Sequence, residues 1–147
     1  MSAEANKELV SQFYDEVWAQ GNLEFTERVF ATDYVRHDLR STQAKPGPAG
    51  QAEIAGAFRQ AFPDLKWQVD LLIAEGDFVV GRWSASGTHA GTWAGIAPTG
   101  RQMEFSGVNI FRFDRNGKVV EIWNHRDDLG LMEQLGAAVY AGAASKE

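Results

Sequence analysis

Val119-Val120-Glu121-Ile122-Trp123-Asn124-His125-Arg126-Asp127-Asp128-Leu129-Gly130-Leu131-Met132 opens with Val, Ile and Trp, residues that favour a pleated strand. Just before it, Asp114-Arg115-Asn116-Gly117-Lys118 reads as a hairpin with Asn-Gly at its tip. Strand 102–113 should therefore lie antiparallel to strand 119–127. Side chains alternate along a strand, so Glu121, Trp123, His125 and Asp127 share one face and Val120, Ile122, Asn124 and Arg126 the other. His125 and Asp127 then sit roughly 7 Å apart on one side of the sheet. A His and a carboxylate beside a Trp can act as a proton-transfer pair at an apolar wall. The same spacing fits a salt-bridged edge strand, with His125 against Asp127 or Arg126 against Asp128, a common and weak arrangement. The choice depends on whether the chain supplies a cavity for that face.

Moving toward the N-terminus, residues 78–89 and 65–73 also read as strands. Leu65, Trp67 and Val69 alternate with Lys66, Gln68 and Asp70, and Glu75-Gly76-Asp77 makes a tight turn between the two. Glycines within 78–89 predict a bulge or strong bending. Residues 91–100 form a Gly/Pro-punctuated connection. Ahead of the strands come helices. Leu9, Val10, Phe13, Tyr14, Val17 and Trp18 form one broad stripe over residues 4–20. Gly21 fits the stop of that helix, and Asn22 can cap a short second helix over 23–30. Residues 33–37 are a brief extended piece, and 39–50 a loop long enough to be a lid or mouth element. A third helix spans 51–62, with Ile54, Phe58 and Phe62 on one stripe. After the last strand, residues 129–135 form a helical tail stopped by Gly136, and 137–147 are small and loose.

Helices followed by strands predict an α+β domain over 1–147. A strongly curved, mostly antiparallel sheet with the helices packed across its concave face would enclose a pocket between them. With 147 residues, 44% hydrophobic and including five Trp and nine Phe, the chain has enough apolar mass for a core and for a lined cavity. A net charge of −6 argues against nucleic acid or an anionic membrane surface as partner. Cysteine is absent, which removes disulfides, thiolate metal sites and Cys nucleophiles. The start of the chain has no basic-then-apolar signal pattern, so a cytoplasmic location is expected. The three His residues lack metal-ligand spacing, and no phosphate-binding loop or nucleophile elbow is present. Proton-transfer chemistry without metal or cofactor is the class that remains, on a hydrophobic small molecule.

Asp127 ends the last strand. In an apolar cavity its carboxyl would hold its proton more tightly, suiting it to take a proton from carbon next to a carbonyl. His125 could play the opposite role or hold a substrate oxygen, and His37 could face the same cavity or be satisfied by backbone. Asn109 shares a face with Phe105, Gly107, Phe111 and Phe113 and needs a partner there, as a structural hydrogen bonder or a substrate clamp. Arg82 and Trp83 point to opposite faces. Arg82 is a solvated edge residue or the cation that receives a carboxylate or enolate. His89 follows Gly-Thr and can be simple loop. Tyr14, Trp18, Phe58, Arg82, Trp83, His89, Asn109 and Trp123 are the candidate substrate-binding residues. Asp127, His125 and His37 are the candidate catalytic ones.

Several motifs carry a resemblance. Phe13-Tyr14-Asp15-Glu16-Val17-Trp18, Tyr34-Val35-Arg36-His37-Asp38, Phe62-Pro63-Asp64-Leu65 and Glu75-Gly76-Asp77 are four of them. Gly87-Thr88-His89-Ala90-Gly91, the Gly95–Gly100 turn, Trp123 with Asp127-Asp128-Leu129-Gly130-Leu131, and Gln134-Leu135-Gly136 complete the set. Together they resemble the SnoaL-like polyketide cyclase (ester cyclase) family over nearly the whole chain. The resemblance implies a nuclear-transport-factor-2-like fold, a cone-shaped α+β barrel whose curved sheet and helices hold an apolar pocket, and homodimers or homotetramers packed through the sheet. It also implies cofactor-independent ring closure by intramolecular aldol condensation. The position that looks like Asp127 is then the acid/base, and Tyr14 borders the pocket. A family branch that hydroxylates polyketides and members that only bind are the alternatives. Strand 102–113 carries no His to partner the Asp, and His125 stands on the Asp's own strand instead.

Overall fold

Ser2 begins the first helix: its side chain accepts the backbone N–H of Ala5, capping α1 (Ala3–Phe13). In the computed structural model, which describes residues 2–38 and 44–137, that helix widens into a π turn over Tyr14–Ala19. The wider turn carries Tyr14, Val17 and Trp18, all buried. Gly21, at φ 79°, ends it in the left-handed region. A 3₁₀ turn (Leu23–Phe25) and one α turn, α2 (Thr26–Val29), lead directly into β1 (Phe30–His37). β1 starts earlier than the expected extended piece, because Phe30 pairs with Val119 and packs on Phe13 and Tyr34. α3 (Pro48–Ala61) likewise starts inside the expected loop. Pro48 sits in the first turn, where its missing N–H is no loss. Residues 39–43 of the expected lid lie outside the described residues, as do residues 138–147 of the expected loose tail.

The remaining strands are β2 (Lys66–Glu75), β3 (Phe78–Thr88), β4 (Gln102–Phe113) and β5 (Val119–Arg126), followed by α4 (Asp128–Gln134). The sheet order is β1-β5-β4-β3-β2, antiparallel except for β1, which runs parallel to β5. The architecture is the expected α+β one, but among the described residues the sheet does not close: β1 and β2 are its edges. The enclosure is completed by α1, its π turn and α3, whose Phe13, Tyr14, Trp18, Phe58 and Phe62 join Trp83, Phe105 and Phe111 in the core.

The glycines of β3 and β4 do not mark a bulge. The register from Phe78↔Arg112 to Thr88↔Gln102 is unbroken. Instead, two glycines on the concave side make room for aromatic rings. A Cβ at Gly81 would lie 2.5 Å from the Tyr14 Oη, and one at Gly107 2.5 Å from the Trp83 ring. Register breaks fall in β1, between Phe30 and Val35, in β2, between Val69 and Leu71, and in β5, between Val119 and Glu121; the β5 break is the one that matters for the site. The β5 break puts Val119 and Ile122 on the same buried side. On the convex face Leu71, Ile73 and Phe78 are exposed. Among the described residues no helix is long and apolar enough to cross a membrane.

Three surface carboxylates hold elements in register, and each is more acidic than usual. Asp64 accepts the backbone N–H and then the hydroxyl of Thr88. Asp70 accepts from Ser84, Gln68 and Arg82, and Glu121 from Arg112 and His37. A folded pKa below the unfolded one contributes stability that is present above the unfolded value, near pH 4, and lost as pH falls through the folded one. The urea midpoint should therefore drop between about pH 5 and pH 2. A variant combining Asp64→Asn, Asp70→Asn and Glu121→Gln should show a flatter pH dependence. An equally steep dependence in that variant would assign the acid sensitivity to other groups.

Candidate functional site

Asn109 stands on the concave side of β4, directly opposite Gly81 of β3 and Asn124 of β5. Its Oδ1 accepts two hydrogen bonds, from the Tyr14 hydroxyl at 2.8 Å and from the Trp83 indole N–H at 2.9 Å. Two donors fix which end of the amide faces them. Its Nδ2 therefore points the other way and donates to the Asn124 Oδ1 at 2.7 Å. That bond engages the Asn124 carbonyl, and Asn124 itself lines the cavity. Tyr14 is fully buried, and burial pushes its phenol far up, so it remains a neutral donor.

The cavity lies between the concave face and the helices. Phe13, Trp18, Phe58, Trp67, Trp83 and Phe105 form its aromatic wall, with Ile54 and Ile122 beside them. Four polar residues break this wall: Gln51, Asn109, Asn124 and Arg126. The Arg126 guanidinium lies 5.4 Å from the Phe105 ring centroid and 5.9 Å from that of Phe58, cation over ring. Its Nε (3.1 Å) and Nη2 (3.4 Å) donate to the two carboxylate oxygens of Asp128. Nearby on β1, Arg36 donates to the Tyr34 hydroxyl at 2.6 Å and lies 3.8 Å from the buried Asp38 carboxylate. Burial raises the Tyr34 pKa against the opposing pull of Arg36. The cavity volume is about 30 Å³, room for roughly two waters. An aromatic chamber with an amide N–H and a guanidinium on its wall can receive a carbonyl or enolate oxygen. Among the described residues no three His, Asp or Glu side chains come together to hold a metal ion.

The structure brings together Trp18, Phe58, Trp83 and Asn109 on the cavity wall, with Tyr14 behind Asn109. It places the other candidates elsewhere. His125, across from Val108, and Trp123, across from Ile110, lie on the convex face of β5. The expectation that this face looks into the cavity is corrected: Ile122, Asn124 and Arg126 do so instead. His37 is on the same convex face, stacked on Trp123 at 4.9 Å, with its Nε2 2.7 Å from the Glu121 Oε2. The Asp127 carboxylate is exposed and caps α4, accepting the Gly130 N–H at 2.9 Å. Arg82 is exposed and paired with Asp70. His89 is fully buried but absent from the cavity wall, its Nδ1 accepting the Thr99 N–H at 3.2 Å. Gln51, Trp67, Asn124 and Arg126 were missed as site residues. The available signal was the pair of in-strand glycines at 81 and 107, which mark the side where large rings lie.

The family model described as SnoaL-like polyketide cyclase matches residues 8–135. Three solved structures set the scale of the similarity. TsrD from Streptomyces laurentii is 25% identical with a TM-score of 0.83, covering 94% of this chain and 99% of its own. AclR from Streptomyces galilaeus, a candidate hydroxylase, is 28% identical with a TM-score of 0.80, over 94% and 100%. A candidate polyketide cyclase from Acidithiobacillus ferrooxidans is 34% identical with a TM-score of 0.78, over 95% and 100%. No curated protein sequence matches the chain.

Removing the Asn109 amide should leave the Tyr14 hydroxyl, the Trp83 N–H and the Asn124 carbonyl without their buried partner. Asn109→Ala is expected to lower the unfolding free energy by about 3 kcal/mol, and Tyr14→Phe by only about 1 kcal/mol, since Oδ1 keeps its bond to Trp83. Urea denaturation of both variants checks this. Equal, small losses would show that the amide is not the organising group.

Proposed function

We propose, since this chain belongs to the SnoaL-like polyketide cyclase family, that it binds a hydrophobic polyketide or related carbonyl ester in the aromatic cavity and closes a ring by acid/base chemistry. The carrying observation is the hydrogen-bond chain from Tyr14 and Trp83 through Asn109 to Asn124, which ends beside Arg126 on an otherwise apolar wall. In this reading the Asn124 NH₂ and the Arg126 guanidinium receive the oxygen on which charge develops. A base removes a proton from the carbon between two carbonyls. That carbon attacks a second carbonyl of the same molecule, a C–C bond forms, and the new alkoxide takes up the proton, so substrate and product have the same mass. No cofactor is required for these steps.

Asp128 is the base in this scheme, in place of Asp127. Its carboxylate is joined to a cavity-lining guanidinium, whereas that of Asp127 is committed to the Gly130 N–H outside the cavity. Hydroxylation is the second reading, favoured by the similarity to AclR. It differs in consuming oxygen: one atom enters the product and the other leaves as water, with two electrons drawn from an external reductant or a reduced (hydroquinone-type) substrate.

Turnover of an aromatic polyketide ester, followed by mass spectrometry with an oxygen electrode, should give a product of unchanged mass without oxygen uptake. Asn124→Leu, Arg126→Met and Asp128→Asn should each lower kcat/KM by about a hundredfold or more. Asp127→Asn, which keeps a competent helix cap, should stay within a few-fold of wild type. Loss of activity in Asp127→Asn alone would return the acid/base role to Asp127. A heavier product with oxygen consumed would favour the hydroxylase.

A further inference from the structure

Trp18, Trp67 and Trp83 form a stack. The Trp67 ring centroid lies 4.8 Å from that of Trp18 and 4.2 Å from that of Trp83, with interplanar angles of 21° and 23°. Its two neighbours are better anchored. Trp83 is 2% exposed and donates its indole N–H to Asn109. Trp18 is set in the π turn, its carbonyl accepting from Arg59 at 2.7 Å. Trp67 stands on β2, an edge strand paired on one side only, two residues before the register break at Val69. Its indole N–H is buried and has no hydrogen-bond partner among the described residues. A buried donor without an acceptor weakens the arrangement that holds it.

The space bears on the same residue. The cavity holds about 30 Å³, whereas pockets that take small organic ligands are on the order of 300 Å³ or more. A substrate of the proposed class does not fit while all three indoles are in place. Trp67 also borders a surface groove of about 410 Å³ between α1 and the β2 edge, lined by Glu8, Gln12, Asp15 and Val69. An indole that leaves the stack has that groove beside it.

We infer that Trp67 is a displaceable filler of the substrate cavity, its indole occupying the slot between Trp18 and Trp83 that a flat, unsaturated ring of the substrate takes on binding. The inference rests on the cavity being the binding site, as proposed above. Trp67 thereby sets substrate specificity. A planar fused ring matching an indole gains two aromatic faces, and a saturated ring of equal volume does not. The unpaired indole N–H also finds solvent or a partner once it leaves the slot.

The test uses 2-naphthol as a flat two-ring probe and its saturated counterpart decahydro-2-naphthol. Trp67→Ala should bind 2-naphthol about tenfold more tightly than wild type, because no filler has to be displaced. Trp18→Ala should bind it more weakly, because one face of the slot is gone. The saturated probe should also gain from Trp67→Ala, since the filler is gone for it too, but it should bind each protein more weakly than 2-naphthol and lose less on Trp18→Ala. In wild type labelled with 5-fluorotryptophan, the ¹⁹F resonance of Trp67, assigned with Trp67→Phe, should move toward its solvent-exposed position as 2-naphthol is added. This readout needs no folded alanine variant. The filler role is overturned if folded Trp67→Ala binds no more tightly than wild type, or if the Trp67 resonance stays buried while 2-naphthol saturates the cavity. In both cases binding itself leaves the cavity reading intact. Absence of binding in every protein would overturn both.

Discussion

Everything on the concave side depends on how one buried amide is shared. Asn109 accepts from a helix residue, Tyr14, and from a β3 residue, Trp83, and donates to β5 through Asn124. Each bond contributes only about 1 kcal/mol net, but leaving any of the groups unpaired in the interior costs more. The arrangement therefore works mainly by excluding alternatives. Tyr14 must lie over Gly81, Trp83 must lie over Gly107, and Asn124 must present its carbonyl to Asn109. The π turn serves the same end by carrying Tyr14 and Trp18 inward together.

The architecture was legible because its signals are local. Alternation over 102–113 and Asn-Gly at 116–117 define the β4–β5 hairpin, and the observed β4 has the expected bounds. The aromatic stripe on the first helix identifies the residues that become the floor of the core. Asn109 stood out as the one amide in a row of Phe and Gly on β4. The phase of β5 was not legible. Both of its faces mix apolar and polar residues, and the register break at Val119–Glu121 decides which is inside. His125 and Trp123 were assigned inward on a His–carboxylate pattern that the structure turns into a convex cluster of His37, Glu121, Arg112 and Trp123. The parallel pairing of β1 with β5 also escaped, since it joins residues more than eighty positions apart.

The cavity is packed almost as densely as a core. Its own indoles fill it, and its polar groups are largely satisfied by one another. Dense packing favours the ligand-free fold, while function in such a chamber requires that something yields. Arg126 illustrates the compromise: it rests on Phe58 and Phe105 and is neutralised by Asp128, yet remains on the cavity wall. In the proposed reaction a substrate oxygen would meet there a cation already held in place by Asp128 and two rings, the arrangement by which preorganised sites stabilise developing charge.

The central claim is that ligand chemistry occurs on the concave face of β5 and not on its convex one. The most direct measurement is a ¹⁵N NMR titration with an aromatic β-keto ester, following the Asn124 side-chain amide and the Arg126 Nε–H beside the ring signals of His125 and His37. The account predicts saturable shifts at Asn124 and Arg126, with His125 and His37 unmoved. Shifts confined to His125, His37 and the backbone around Trp123 and Asp127 would place the site on the other side of the sheet and contradict it.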